Sequence, residues 1–304
     1  MTNLKVPPHR MCGTMIAHQH MLEWDSGYRK RIMASEQLTR KSLMSLVERK
    51  GVTTIPVVVH VIYNQPVEKI STAQVKSQIP VLNKDFRAKN LDRKKVPDCW
   101  KGLVTDSQIK FALAKTDPKG KKTSGITYTK TEATSFSYED DPVKSSDTGG
   151  MDPWPMDEYL NIWVCQLGGG LLGYATFPGA KPELDGVVIL TQSFGTKGVI
   201  EAPFNLGRTT THEIGHWLNL RHIWADTEDC TGTDYVEDTP NAAGPNYGKP
   251  ESPHITCSNG PNGDMFMNYM DYVDDDSMLM FTAQQVARMQ ATLDGPRKSI
   301  GTQK

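Results

Sequence analysis

The sequence predicts a mixed fold of strands and helices over residues 53–222, followed by mostly irregular structure. A β-branched run, Thr53–Tyr63, is typical of a buried strand. Ser71 is a suitable N-cap for a helix over residues 71–89. The apolar residues that would share one face of this helix are Val75, Ile79, Leu82 and Phe86. The roughly fifty residues after His222 are rich in Asp, Gly, Pro and Asn, which are loop-forming types.

Further elements follow from the same kind of pattern. Alternating or β-branched stretches predict strands at residues 109–115, 125–130, 159–167, 171–177 and 185–190. Helices are predicted at residues 37–50, at a segment that begins near residue 206 and carries His212 and His216, and at 282–293, where Thr282 is the N-cap. Residues 1–35 are polar and lack periodic apolar positions, so we expect them to lie outside the domain.

Composition and charge argue against several kinds of partner. The 304 residues carry a net charge of −1, which gives no sign of a nucleic-acid or anionic-membrane partner. No stretch approaches the roughly eighteen apolar residues of a membrane span. Residues 1–10 have no apolar core and are not a signal peptide, so a secreted form would need export information that this sequence lacks.

The chemistry is concentrated in residues 212–222, which read H-E-I-G-H-W-L-N-L-R-H. His212 and His216 are four positions apart, so on a helix their imidazoles lie on one face and can share a zinc ion. His222 can join them only if the helix ends and the chain turns back, and Asn219 lies where that turn is required. Three nitrogen ligands and an open position are typical of a catalytic zinc site.

Glu213 follows the first histidine and can face the open position of such a site. Zinc held by neutral imidazoles acidifies a bound water and polarises a carbonyl. Glu213 could take the proton from that water and return it to a leaving amine. The expected reaction is hydrolysis of a peptide bond. A purely structural zinc site is the alternative, but an all-histidine ligand set beside a general base argues against it.

Two stretches resemble the metzincin proteases. Residues 212–222 resemble their zinc signature, H-E-x-x-H-x-x-G-x-x-H, and residues 268–272 resemble their Met-turn, with Met270 beneath the metal. Within the metzincins the chain is similar to the pappalysin family, through Trp217-Leu218, Asp238-Thr239-Pro240 and the aspartate run after the Met-turn. The resemblance implies an α+β, two-lobed catalytic domain with a twisted mixed sheet, backing and active-site helices, and an irregular C-terminal subdomain.

One position departs from the family pattern. Asn219 stands where the signature has a glycine that leaves the helix with positive φ. Asparagine tolerates that region better than other side chains, so we expect the turn to survive at a cost of about 1 kcal/mol. The alternative is a catalytically impaired metzincin that acts by binding proteins or peptides. The retained Glu213 argues against this alternative.

The resemblance implies roles for residues around the cleft. Tyr272 resembles the tyrosine that donates a hydrogen bond to the oxyanion, although it could be an ordinary core tyrosine. Asp276 resembles the acid at the base of the S1′ pocket, which would select arginine or lysine after the scissile bond. A solvated acidic loop is the alternative for Asp276. Substrate is expected to add as a strand to an exposed sheet edge, at residues 169–177 or 185–190.

The resemblance also implies features of the lower lobe. Cys230 and Cys257 match a family disulfide, which would contribute about 3 kcal/mol. The resemblance also implies a calcium site, whose oxygen ligands would come from Asp234, Glu237 and Thr239. Oxygen ligands suit a hard cation such as calcium. The implied cofactors are therefore zinc and calcium. The two cysteines without an assigned role are expected to be buried thiols, and these are Cys99 and Cys165.

Residues 10–14, R-M-C-G-T, resemble the cysteine switch of pappalysin pro-segments. The thiolate of Cys12 would bind zinc and keep the enzyme latent until the segment is cut. An enzyme that cuts before arginine could release its own leader before Arg29, Arg31 or Arg40. The resemblance thus implies a secreted zymogen that acts on protein or peptide substrates and is inhibited by its own pro-segment. The implied division is a pro-segment over 1–40, an N-terminal catalytic subdomain over 41–222 and a C-terminal subdomain over 223–304.

Overall fold

The core of the molecule is a six-stranded sheet built around one long strand. The computed structural model describes residues 5–44 and 51–301. The long strand, β1 (Thr53–Tyr63), has the predicted bounds. β2 (Ile109–Leu113) and β3 (Ile126–Lys130) pair with its successive halves on one side, and β4 (Leu160–Cys165) pairs with its middle on the other. All three pairings are parallel, and most residues of β1 are buried on both faces of the sheet, as its apolar sequence requires.

The far side of the sheet ends in a short antiparallel strand. β6 (Val187–Leu190) runs parallel to β4, and β5 (Gly173–Ala175) runs antiparallel to β6 at the edge of the sheet. Of the two segments predicted to offer an edge, only the first does so, because β6 is covered by strands on both sides. β5 can therefore receive an additional strand.

Three helices form the rest of the predicted framework. α3 (Thr72–Asp85) begins after Ser71, whose hydroxyl accepts a hydrogen bond from the Gln74 backbone. α4 (Arg208–Trp217) packs against α3 and against β5 and β6. α5 (Ala283–Asp294) begins at the predicted N-cap Thr282, which forms a capping box with Gln285. The hydrogen-bonded caps explain why these two helix starts could be predicted from sequence.

The C-terminal part is mostly irregular, as predicted. Its described regular structure consists of α5, a short 3₁₀ helix at Asp275–Ser277 and a two-stranded parallel sheet of β7 (Tyr247–Gly248) and β8 (Tyr272–Val273). A disulfide joins Cys230 to Cys257, confirming the expected pair. Beyond α5, the buried Arg297 guanidinium pairs with Asp185 at 2.7 and 2.9 Å and ties the chain end to the sheet.

The N-terminal segment, defined here as residues 5–44, is not the polar tail that we predicted. It contains two helices, α1 (Thr14–Trp24) and α2 (Tyr28–Met44). Each helix buries only a few side chains, so neither shows a clear apolar period in sequence. α2 packs against α5, and tertiary contacts therefore decide its structure. The helix predicted at 37–50 matches the end of α2, while residues 45–50 lie outside the described part of the chain.

Within the described residues, no helix has both the length and the apolar character needed to cross a membrane.

Candidate active site

Three histidines converge between α4 and the loop that follows it. His212 and His216 are one helical turn apart on α4, and His222 returns to them after the helix has ended. The Nε2 atoms lie 3.2 Å apart for His212 and His216, 3.0 Å for His216 and His222, and 3.3 Å for His212 and His222. All three side chains are buried.

The return of the chain depends on Asn219, whose φ is +72°. This is the left-handed conformation that asparagine tolerates better than most residues. Its backbone N–H donates to the carbonyl of His216 at 2.8 Å, and the N–H of Leu220 donates to that of Gly215 at 2.9 Å. Asn219 thus makes the turn for which the family signature uses glycine.

The side chain of Asn219 has a second role, because it contacts the N-terminal segment. Its amide donates to Glu36 at 3.2 Å and to the hydroxyl of Thr39 at 3.3 Å, both on α2. Arg288 of α5 binds the same carboxylate through two nitrogens, at 2.6 and 3.0 Å, and donates to the Asn219 carbonyl at 2.7 Å. A glycine could not make the two side-chain contacts.

Each imidazole is oriented through its second nitrogen by an acceptor from a different part of the chain. Nδ1 of His212 lies 2.7 Å from the Tyr269 carbonyl, Nδ1 of His216 lies 2.9 Å from the Leu220 carbonyl, and Nδ1 of His222 lies 2.6 Å from the Asp226 carboxylate. A carbonyl can only accept, so Nδ1 carries the proton and Nε2 presents its lone pair. Burial lowers the pKa of both His212 and His216 well below the usual value, which keeps them neutral.

These donor atoms fit a zinc ion. Tetrahedral zinc, with Zn–N distances of about 2.0–2.1 Å, holds its nitrogens about 3.3 Å apart. The observed separations of 3.0, 3.2 and 3.3 Å are close to that value. The Sγ of Cys12 completes a group of four potential ligand atoms, all within 4.8 Å of one another. The three histidines and the cysteine could therefore hold one metal ion.

Glu213 lies beside this group and is contacted by the N-terminal segment. Its Oε2 accepts hydrogen bonds from the Thr14 hydroxyl at 2.9 Å and from the Cys12 thiol at 3.2 Å. Burial raises the pKa of Glu213 to about 8. Burial, together with the nearby Glu213 charge, also raises the pKa of the Cys12 thiol well above its usual value. The two groups lie in one desolvated pocket.

Tyr272 and the Met-turn close the site from below. The Tyr272 hydroxyl lies 3.3 Å from both the backbone nitrogen and the backbone oxygen of Cys12. Met270 is buried beneath α4, where a Cβ added to Gly215 would collide with its sulfur. The turn is fixed by the Asn268 side chain, which accepts from the Met270 backbone at 2.9 Å. The same turn supplies the Tyr269 carbonyl that orients the first histidine.

The N-terminal segment lies along the edge strand β5. Cys12 pairs with Gly173 in a parallel bridge, and the N–H of Gly13 donates to the Gly173 carbonyl at 2.8 Å. The Thr14 hydroxyl accepts from the backbone of Ala175 at 2.8 Å. The segment therefore occupies the edge at which a substrate strand was predicted to bind.

Arg10 enters a buried pocket at the N-terminus of α4. Its guanidinium donates to Asp275 at 2.6 Å, to the Thr209 hydroxyl at 2.9 Å and to the Val273 carbonyl at 3.1 Å. Asp275 is fully buried, whereas the side chain of Asp276 is 41% exposed and pairs with Lys249 at 2.5 Å. Asp275 is thus the carboxylate that faces the pocket, and it is one residue away from the predicted acid.

The remaining predicted residues lie away from the histidines. Asp234 is buried and accepts from the Thr239 hydroxyl at 2.6 Å, while Glu237 is exposed. Burial raises the pKa of Asp234 to about 6. Cys165 is buried, as predicted. Cys99 is exposed, so the expectation of a buried thiol was wrong there; it lies in a surface turn after Pro97.

Sequence reasoning assigned no individual role to five residues that contact the site: Arg10, Thr14, Glu36, Asp226 and Asp275. Spacing offered a weak signal for two of them. Asp226 is four residues after His222, and Thr14 is two residues after Cys12. Nothing in the local sequence distinguishes Asp275 from its acidic neighbours, because their difference lies in burial.

Comparison with known proteins agrees with this geometry. Residues 144–294 match the Peptidase_M43 family, described as pregnancy-associated plasma protein-A. Tannerella forsythia mature mirolysin, in complex with a cleaved peptide, is 49% identical with a TM-score of 0.81, covering 83% of this chain and 96% of that one. The T. forsythia promirolysin mutant E225A is 45% identical with a TM-score of 0.89, covering 95% and 96%.

Curated relatives are named extracellular metalloproteases. One, from Pyricularia oryzae, is 29% identical over 94% of this chain and 89% of the relative. Another, from Verticillium alfalfae, is 41% identical over 44% of this chain. That match spans about half, 49%, of the Verticillium protein.

The fold, the three-histidine group and these relatives define a zinc metalloendopeptidase of metzincin type. Within that class, the chain belongs to the pappalysin family.

The contact between Asp226 and His222 generates a first prediction. Asp226→Asn removes the charge that holds Nδ1 of His222, so we expect zinc affinity to fall by about 10- to 100-fold. Competition with a chromophoric chelator measures this directly, without reference to activity. The matched control is Asp229→Asn, which removes an exposed carboxylate that accepts hydrogen bonds from the backbone and the hydroxyl of Thr231. Equal zinc affinity in both variants would show that the carboxylate does not position the histidine.

Proposed function

We propose that this chain hydrolyses peptide bonds with His212, His216 and His222 as zinc ligands and Glu213 as general base. Zinc held by these residues would supply Lewis acidity at a water and at the scissile carbonyl. Glu213 would accept the proton of the attacking water and transfer it to the leaving amine. The observation that carries the proposal is the convergence of three Nε2 atoms within 3.3 Å of one another, with the Glu213 carboxylate beside them.

Two further groups would act on the substrate. The Tyr272 hydroxyl, now bound to the Cys12 backbone, would be free to donate to the developing oxyanion once the N-terminal segment has left. The edge strand β5 would bind the substrate backbone through the positions that now bind Cys12 and Gly13. The turn at Asn219 has the required conformation, which favours an active enzyme over a binding module.

The test of this function is digestion of casein by the chain with residues 1–40 removed and zinc supplied, with and without chelator. New N-termini are mapped by mass spectrometry. We expect cuts that the chelator abolishes. Cleavage that persists in chelator, or no cleavage by a zinc-loaded chain, would contradict the proposal.

We further propose that the enzyme prefers arginine or lysine at P1′ and that Asp275 recognises it. The proposal first made for Asp276 is less well supported, because that side chain faces solvent and Lys249. One oxygen of Asp275 accepts from the Leu206 backbone at 2.7 Å and faces the N-terminus of α4, which stabilises its charge. Its other oxygen binds Arg10, which shows how an arginine side chain can fit this pocket.

Asp275→Asn tests this assignment. We expect the preference for arginine over leucine at P1′, measured as a ratio of kcat/KM values for matched peptides, to fall by at least about tenfold, or about 1.4 kcal/mol. Asp276→Asn is the control and should leave the ratio unchanged. The reverse pattern would return the role to Asp276.

We propose that the protein is made as a latent zymogen. Cys12 would be the fourth zinc ligand, and removal of the segment by a cut before Arg29, Arg31 or Arg40 would give the mature chain. Support comes from the position of Cys12 within the ligand group and from the contacts of Thr14 with both Glu213 and β5. The division at residues 40 and 222 remains part of this proposal.

Cys12→Ala should speed autoactivation, because it removes one ligand while leaving the rest of the segment in place. The release of the leader is followed over time by mass spectrometry of the intact chain. Cys99→Ala, which removes an exposed thiol, is the control. If both variants matured at the rate of the parent, Cys12 would not be the residue that maintains latency.

We also propose secretion and a calcium ion in the lower lobe. The extracellular relatives and the Cys230–Cys257 disulfide support secretion. The buried carboxylate of Asp234, with Glu237 and Thr239 nearby in sequence, supports calcium binding. Calcium should raise the unfolding temperature of the parent but not of Asp234→Asn; an equal response in both would remove these residues from the site.

A further inference from the structure

Arg221 occupies an unusual position directly before the third histidine. Its guanidinium carbon lies 3.7 Å from the centroid of the Phe177 ring. One terminal nitrogen donates to the sulfur of Met15 on α1 at 3.3 Å, and Nε is buried without a hydrogen-bond partner. Among residues 5–44 and 51–301, no carboxylate lies within ion-pair distance of Arg221. A thioether is only a weak acceptor.

Arg221 is partly buried, whereas every fully buried arginine in the described part of the chain is paired with an acid. The pairs are Arg10 with Asp275, Arg87 with Asp106, Arg208 with Asp92, Arg288 with Glu36, and Arg297 with Asp185. A partly desolvated guanidinium whose Nε has no hydrogen-bond partner is costly. The position therefore provides a cation with unused donors next to the catalytic group.

The N-terminal segment shows on which side of the scissile bond Arg221 lies. Arg10 fills the pocket proposed for the P1′ residue, and Cys12 lies at the histidines. Met15 follows Cys12 on the opposite side from Arg10 along the segment. Cys12 pairs with Gly173, and Thr14 contacts Ala175. The segment therefore runs in the same direction as β5, so Met15 lies toward the end of β5 that leads to Phe177. Arg221 thus lies on the unprimed side of the cleft.

We propose that Arg221 is a specificity residue that binds an acidic side chain at P2 or P3 of the substrate. Met15 covers the guanidinium in the latent chain and leaves with the N-terminal segment. The Phe177 ring supports one face of the guanidinium, so its edge remains available for a carboxylate. The carboxylate of Asp226 binds His222 and forms no ion pair with Arg221 among the described residues. This inference rests on the proposed function and on the P1′ pocket of Asp275.

The test uses the activated enzyme and peptides that all carry arginine at P1′. Glutamate, glutamine and lysine are compared at P2 in one series and at P3 in another, and kcat/KM is measured for each peptide. We expect glutamate to exceed both glutamine and lysine by about tenfold at one of the two positions. Arg221→Gln should abolish this ratio, and Arg221→Lys should retain part of it.

Ratios within one variant are unaffected by a uniform loss of active enzyme, so reduced folding or zinc content does not obscure the result. Lys249→Gln, which removes a cation near Asp276, is the control and should keep the parental ratio. The absence of any acidic preference in the parent, or its survival in Arg221→Gln, would overturn the inference. Failure of the proposed function would look different, because no peptide would be cleaved.

Discussion

The site depends on three imidazole nitrogens that lie within 3.3 Å of one another, although no single helix or strand carries all three rings. A helix supplies two of the rings, and a turn with positive φ supplies the third. Three separate acceptors then fix the ring orientations: the Tyr269 carbonyl from the Met-turn, the Leu220 carbonyl and the Asp226 carboxylate. Because the acceptors come from both lobes, the ligand geometry requires that the lobes be correctly packed.

Buried ion pairs hold both ends of α4, the helix that carries two of the rings. Arg208, at the start of α4, binds Asp92 through two nitrogens and the carbonyl of Asp275 through one of them. Arg297 joins the C-terminal end to Asp185 and to the carbonyl of Trp217, where α4 ends. Such pairs add little net stability compared with apolar contacts, but losing one partner leaves a buried charge. They therefore specify where both ends of α4 lie.

The sequence predicted the parts of this arrangement that are set by local rules. The long strand follows from its β-branched residues, α5 from its capping box, and the three histidines from their spacing. Long-range contacts decided what was missed. α2 has too few apolar positions to be recognised as a folded part of the domain, and it is held by Glu36 and by packing on α5. Asp275 and Asp276 are adjacent acids, and only the fold determines that one is buried.

The N-terminal segment contacts the site at separate points that a single cut would weaken together. Arg10 fills the pocket of Asp275, Thr14 binds Glu213 and the edge strand, and Glu36 binds the turn at Asn219. While the chain is intact, each contact holds the others at a high effective concentration. A cut between residues 29 and 41 releases a short peptide that carries Arg10 and Thr14. This peptide must then compete with substrate for the site by its own affinity. In the proposed zymogen, covalent attachment would therefore contribute more to inhibition by this short segment than any one contact.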